Sequence, residues 1–428
     1  MDPISPEGLV GFVATSFIRA PRRFATASKG REDRRGVFVF FRKEIYMDRS
    51  TVKRNTGQRL GGLLLATAAM LFWARGIQAA ETRQITDAAG RIVTIPKTVE
   101  RLICSGPGCL RLLTYIGGQD RIVAVDSLEL GNAPVDARPY AIANPQFKTY
   151  PLFGEFRGHD NPELIAGLDP APQVIFKTYA NRGPGPDALQ AKTGIPVIAL
   201  EYGNLTYGRG QLDQALRLMG MVMDETERAE AVIAYFDALE QDLDRRTRDV
   251  PDDQRPSCYV GGLAQAGPHG FQSTEPSFAP FVFTHANNVA AALSTPGKPI
   301  SHANVAKEQI LVWDPEVIFF DVSTLHLDCS ANGLAQLRHD PAYQALTAVR
   351  DGRVYGLFPY NAYTQNFEAI FANAYYVGKV LYPERFADID PMAKAEEICT
   401  FINGAPAFEL LNRQYDGMAF TRIPVRPS

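Results

Sequence analysis

Two cysteines bracket a Ser-Gly-Pro-Gly turn in the stretch CSGPGCLRLL, residues 104–113. Residues of these types could hold a metal, cycle a disulfide, or offer backbone amides to an anion. The chain has five cysteines, Cys104, Cys109, Cys258, Cys329 and Cys399. None falls in a CxxC and no two lie near a His-x-x-x-His pair, so a structural zinc site is not expected. An odd count leaves at least one thiol unpaired within the chain. Burial is the expectation for Cys104, and pairing with Cys109 across the short loop stays open. The turn lacks the lysine of a phosphate loop.

A second set of chemically capable residues sits in short segments that follow β-like runs. GEFRGH (154–159) holds Arg157 and His159, KTYANRG (177–183) holds Tyr179 and Arg182, and EYGNLTYG (201–208) holds Tyr202 and Tyr207. AQAGPHGFQS (264–273) supplies His269 and Phe271, and FPYNAYTQN (358–366) supplies Tyr360, Asn361 and Tyr363. Guanidinium groups pair with carboxylate, catecholate or propionate oxygens, while aromatic rings cover apolar parts of a ligand. An imidazole or phenolate can also ligate a metal directly, and His269 and Tyr360 are the candidates. His269 stands between Gly267-Pro268 and Gly270 in a segment expected to be exposed, unlike His285 and His339, which read as surface or helix histidines. With only six scattered histidines, a His-rich cage for a free ion is not expected. There is no G-x-S-x-G, H-E-x-x-H, P-loop or G-x-G-x-x-G after a strand, so no catalytic residue is assigned and an enzyme is not expected.

The elements that must position these residues alternate. RIVTI (91–95), RLIC (101–104), RIVAV (121–125), QVIF (173–176) and PVIAL (196–200) read as strands, separated by amphipathic stretches at 110–117, 162–168 and 185–194. Such alternation implies a mostly parallel sheet covered on both faces. The longest helical pattern, 211–248, carries Ala229, Val232, Ile233, Phe236, Leu239 and Leu243 at helical spacing and ends at Pro251. Alternation then restarts with CYVGGL (258–263), VIFFD (317–321) and RVYGLF (353–358), and the chain closes in helix. The reading is α/β: two Rossmann-like lobes with mostly parallel sheets, 81–210 and 251–428, joined by one long α-helix within a linking segment 211–250, with a ligand cleft between the lobes. A single stiff helix predicts closure by only a few degrees.

Residues 47–80 have the order of an export signal: basic residues after Met47, the apolar run LGGLLLATAAMLFWA, then small residues at Ala79 and Ala80, the expected cleavage point. Residues 1–46 are expected to be a non-native or disordered extension. Residues 1–80 carry 14 Lys and Arg against 6 Asp and Glu, which leaves 30 basic and 41 acidic residues beyond. That acidic remainder argues against a nucleic-acid partner.

The opening segment ITDAAGRIVTIPKTVERLI (85–103), the two helix–Pro–strand units NPELIAGLDPAPQVIF (161–176) and KEQILVWDPEVIFFD (307–321), TGIPVIAL (193–200) and VRDGRVYGL (349–357) occur in the order found in one family. Through them residues 84–405 resemble the periplasmic substrate-binding proteins of ABC importers for iron complexes (siderophore or haem) and cobalamin. The resemblance implies an exported, periplasmic, monomeric receptor without a cofactor of its own. It would carry iron or another metal within a small-molecule chelate, of ferric-siderophore or haem-like type, to an ABC permease and its cytoplasmic ATPase. A cobalamin or free-metal-ion receptor of the same superfamily, or an exported enzyme on a two-lobed fold, are the alternatives. The resemblance also implies that Glu163 and Glu308 dock onto permease arginines. It places Ser105, Gly106 and Gly108 where a strand turns into a helix at the cleft, with amides suited to an anionic ligand.

Overall fold

The computed structural model describes residues 81–131, 135–295, 297–328 and 331–425. The expectations for residues 1–46, for the export signal at 47–80 and for Cys329 lie outside these. Among the described residues no helix is long and apolar enough to cross a membrane.

The first lobe starts with an antiparallel hairpin, β1 (Thr82–Thr86) and β2 (Ile92–Pro96). Asp87 ties its turn, accepting the amides of Ala89 and Arg91 at 3.0 Å and the Arg91 guanidinium. The central sheet is parallel, in the order β3 (Leu102–Ser105), β7 (Val174–Thr178), β8 (Val197–Leu200). A smaller sheet of β4 (Val125–Asp126), β5 (Leu152–Glu155) and β6 (His159–Asp160) continues it, through a bridge from Leu102 to Ile122. Four helices accompany these strands: α1 (Cys109–Tyr115), α2 (Pro139–Ala143), α3 (Pro162–Ala166) and α4 (Pro186–Thr193). Asn161 caps α3 by accepting two amides, and Pro162 occupies its first turn.

The long helical segment is not one helix. It is two, α5 (Arg209–Met223) and α6 (Thr226–Thr247), broken where Asp224 turns left-handed at φ 60°. Arg209 bonds Asp237 and Glu240, and Arg217 bonds Glu230, so the pair folds back as an antiparallel hairpin. Periodicity alone runs smoothly across this break. Glycine at 220 lets the two helices approach there, since a Cβ would lie 2.8 Å from that of Ala229.

The second lobe is built on a parallel sheet ordered β11 (Asn287–Asn288), β9 (Ser257–Gly261), β13 (Val317–Asp321), β14 (Val354–Leu357). β13 is buried along its length: Val317 and Phe319 face one apolar cluster, Ile318 and Phe320 another. That two-residue alternation into two cores is what a strand covered on both faces requires. A short ribbon pairs β10 (Ser273–Thr274) with β12 (Ala303–Asn304). Around the sheet lie α7 (Ala279–Phe283), α8 (Lys307–Trp313), α9 (Gly333–His339), α10 (Pro341–Gln344) and α11 (Thr347–Arg350). They are followed by α12 (Phe367–Leu381), α13 (Pro391–Asn403) and α14 (Phe408–Arg413). The largest apolar cluster is continuous, from Leu112 in the first lobe through Leu216 and Phe236 of the hairpin to Phe319 and Phe371 in the second. The fold is therefore bilobed α/β, with the lobes linked by long helices.

Candidate functional site

The lobes meet where the loop after β14 enters the first lobe. Arg111, on α1, is fully buried and spends its guanidinium across this seam. It donates to Ala362 O at 2.8 Å, Gln365 O at 2.9 Å and Tyr363 O at 3.3 Å, and to the Tyr202 hydroxyl at 2.8 Å. Tyr202 in turn donates to Gln365 O at 2.6 Å, and its ring stacks on Phe367. One turn along α1, Tyr115 donates to the buried Glu368 carboxylate of α12. Desolvation is the main cause that raises Glu368 above the usual carboxylate range, against the lowering effect of Arg111.

Four non-glycine residues with left-handed backbone converge just above this seam: Arg157 (φ 64°) and Tyr179 (φ 50°) from the first lobe, Tyr363 (φ 52°) and Thr364 (φ 70°) from the second. They are paired across it. The Tyr363 hydroxyl accepts from the Arg157 amide at 2.7 Å and donates to Asp126 Oδ2 at 2.7 Å. The Tyr179 and Thr364 hydroxyls are 3.1 Å apart. Such conformations cost on the order of 1–3 kcal/mol each and cluster at ligand clamps. Desolvation first, and then the charge of Glu129, push Asp126 up to about 7.

Arg157 and Arg182 stand over this convergence. Gly158 packs against Arg182, so the two loops touch. Each guanidinium lies over an aromatic ring, Arg157 5.1 Å from that of Phe156 and Arg182 5.2 Å from that of Tyr179. Both side chains are exposed, and neither has an acceptor among the described residues. Behind them the loop rests on a buried ion pair: Lys177 Nζ bonds Asp160 Oδ2 at 2.6 Å and Gly158 O at 3.1 Å, while Ser105 Oγ donates to Asp160 Oδ1 at 2.6 Å.

The second lobe offers different groups. Asn361 donates to Ala264 O and to Gln265 Oε1. Next to Gln265, the rings of His269 and His302 lie 5.6 Å apart, both half-buried. Desolvation, followed by the charge of His269, holds His302 below the usual histidine range. Below them are two buried carboxyls with no cationic partner among the described residues. Glu275 accepts from the Tyr360 hydroxyl, and Asp321 accepts the Ser323 amide at 2.8 Å. Desolvation pushes Glu275 up to about 7 and Asp321 up to about 6.

Several sequence expectations are relocated by this geometry. Phe271 is not in the cleft but in the second lobe's core, edge-on to Tyr259 and Tyr343, because the strand-like alternation around it turns its ring inward. Tyr360 is buried and its hydroxyl engaged by Glu275, so it presents no free phenol. Ser105, Gly106 and Gly108 are buried under the seam rather than at its mouth. Gly108, left-handed at φ 74°, would place a Cβ 2.1 Å from the Tyr202 ring and 2.7 Å from Thr364, so glycine lets the second lobe's loop lie on the turn. His159 faces outward, into an open groove of about 710 Å³ shared with Glu163 and Lys192. Tyr207 is exposed. Glu163 and Glu308 are exposed in the first turns of α3 and α8, each just ahead of an interior strand of its lobe's sheet, β7 and β13. Cys104, Cys109, Cys258 and Cys399 are unpaired and buried, and the Cys109 thiol donates to Phe176 O at 3.5 Å. Among the described residues no three His, Cys, Asp or Glu side chains group as a metal site.

Arg111, Asp126, Lys177, Glu275, Gln365 and Glu368 were not anticipated. For Arg111 a signal exists: the run CLRLLTY is apolar around the whole helix, so its one arginine must be buried with it.

The chain is similar to the molybdate-binding protein MolA of Haemophilus influenzae, 26% identical over 358 residues, which span 78% of this chain and 93% of that protein. It is also similar to a cobalamin-binding protein of Halobacterium salinarum, 24% identical over 258 residues, 58% of this chain and 61% of that protein. The structure of MolA bound to molybdate superposes with a TM-score of 0.57 at 22% identity, over 76% of this chain and 98% of that one. A periplasmic solute binding protein of Veillonella parvula gives 0.60 at 18%, over 79% and 97%. At these identities the structures establish a shared fold alone. The model of the family described as periplasmic binding protein matches residues 102–360, more than half of the chain. The chain belongs to that family of solute-binding, non-catalytic proteins.

Proposed function

We propose that the protein is an exported receptor that captures a small, anionic, metal-associated solute between its lobes and delivers it to an ABC permease. The observation that carries this reading is the pair of guanidiniums, Arg157 and Arg182, held on touching loops over aromatic rings, exposed and without an acceptor among the described residues. Two unpaired guanidiniums at a strained inter-lobe contact are suited to oxygen anions. The iron-type chelate expected from the sequence, with carboxylate, catecholate or propionate oxygens, fits that chemistry. So does a molybdate-like oxyanion, the second reading, which the Haemophilus relative favours. Glu163 and Glu308, exposed at corresponding places in the two lobes, are the docking acids.

The test is calorimetric titration of the mature protein with molybdate, ferric citrate and haem, alongside the Arg157→Ala/Arg182→Ala double variant. One of the three binds the wild type, and the double variant binds it about 30-fold or more weakly, since charged hydrogen bonds contribute about 1.5–3 kcal/mol each. Equal affinity in both proteins would overturn the assignment.

A further inference from the structure

The second lobe holds a pair of imidazoles whose protons are already placed. His269 Nε2 lies 2.8 Å from Gln265 O. A carbonyl only accepts, so Nε2 carries a proton, and in the neutral ring Nδ1 is the nitrogen with the lone pair. His302 Nε2 lies 3.0 Å from Ser273 Oγ, which gives its own proton to Leu263 O at 2.7 Å. Ser273 therefore accepts, His302 Nε2 is also the protonated nitrogen, and Nδ1 is again left with a lone pair. Neither Nδ1 has a partner among the described residues. Two lone pairs offer nothing to an anion, but they are what an electrophilic centre needs. Ligating histidines characteristically donate their other ring N–H to a carbonyl or similar acceptor, which fixes the ring.

We propose that His269 and His302 form a bidentate site for a borderline transition-metal centre, such as nickel, copper, cobalt or zinc, that has two open coordination positions. Imidazoles sharing an ion at metal–nitrogen distances of about 2.1 Å have ring centroids about 5 Å apart; these are 5.6 Å apart, close to that separation. Nitrogen donors of this softness select such metals over magnesium or calcium. With no third His, Cys, Asp or Glu grouped with them among the described residues, the remaining ligands come with the metal. The pair is also tied to the seam: Gln265, which fixes His269 through its carbonyl, accepts from Asn361 with its side chain at 3.0 Å.

The metal can arrive as a hydrated ion or inside an anionic chelate. The second source rests on the anionic-solute reading above, and the first does not. Two probes separate them in calorimetric titrations of untagged protein: nickel ion alone, and nickel nitrilotriacetate, a singly anionic chelate with two positions open. Nickel ion should bind the wild type at one equivalent, and His269→Ala or His302→Ala should weaken it at least tenfold, while His339→Ala leaves it unchanged. Ser273→Ala, which removes the acceptor that fixes His302, should weaken it about tenfold. Copper in place of nickel should show hyperfine coupling to two nitrogens. If the chelate also binds, and Arg157→Ala/Arg182→Ala weakens it without affecting nickel ion, the metal enters as an anionic chelate. Binding of nickel ion alone identifies the hydrated ion as the source and leaves the arginine reading to its own test. The proposal is overturned if neither probe binds, or if both histidine variants bind as the wild type does.

Discussion

The two lobes share a plan but handle buried charge in opposite ways. In the first, Asp160 is held by Lys177 and Glu129 by Arg138 at 2.8 Å, and Asp126 at the seam is the exception, bonded by the Tyr363 hydroxyl instead of a cation. The same lobe sends Arg111 across the seam and leaves Arg157 and Arg182 free at its mouth. In the second, Glu275 and Asp321 are buried without a cation among the described residues, and the groups beside them are amides and half-buried imidazoles. One lobe is arranged to meet anions and the other to meet electrophiles or hydrogen-bond donors. A cleft between unlike walls can recognise a solute that is itself two-sided, such as a metal in an anionic shell.

The largest effect that would break this contrast is loss of Arg111. Arg111→Met leaves the Ala362 and Tyr363 carbonyls and the Tyr202 hydroxyl without their Arg111 donor, and Gln365 O with the Tyr202 hydroxyl in place of two donors, so stability should fall by about 3–5 kcal/mol in urea denaturation. A change below about 1 kcal/mol would mean that the first lobe's cation does not hold the second lobe's loop.

The second lobe should register pH. An unfolded chain releases carboxyl protons near pH 4, whereas burial keeps them on Glu275 to about 7 and on Asp321 to about 6. Asp126, at the seam, behaves like Glu275. Between those values the folded protein binds more protons than the unfolded one, so stability falls as pH rises, at up to about 1.4 kcal/mol per pH unit for each such group. The melting temperature should drop by several degrees between pH 5.5 and 8, and Glu275→Gln should flatten the slope. A melting temperature that rises over this interval would contradict the burial of these three carboxyls without cations.

The proposed docking acids stand at corresponding places in the two lobes, and so sharpen the difference at the cleft. Glu163→Lys/Glu308→Lys should reduce uptake by reconstituted transporter about tenfold or more and leave solute affinity within about twofold. Loss of affinity instead would place these acids at the binding surface. The smallest effect is expected for Tyr179→Phe, which loses the hydroxyl contact with Thr364 but keeps the ring under Arg182. Affinity should change by about 0.5–1.5 kcal/mol, measured by titration.

Legibility from sequence followed the same division between pattern and contact. β13 was readable to the residue because VIFFD is an apolar run of strand length before polar positions, and two cores demand such a run. The α5–α6 hairpin was not, since Asp224 can adopt a left-handed turn without disturbing the periodicity of the residues around it. At the site, Arg157 and Arg182 were visible because exposed arginines in loops after strands are chemically unspent. His269 was visible as an imidazole in a glycine-flanked loop, but nothing in PISHANV marks its neighbour His302, which reaches it only because β12 pairs with β10. Phe271 was misplaced for the complementary reason: loop composition does not reveal which of two adjacent side chains turns inward.

The continuous apolar cluster has a further consequence, for how the molecule comes apart. Because Leu112, Phe236, Phe319 and Phe371 belong to one body of packed side chains, neither lobe can melt and leave the other's core dry. Differential scanning calorimetry should record a single transition whose van't Hoff and calorimetric enthalpies agree. Amides in β3 and β13 should exchange with solvent at a common, global rate, so a solute bound at the seam would slow exchange in both lobes at once.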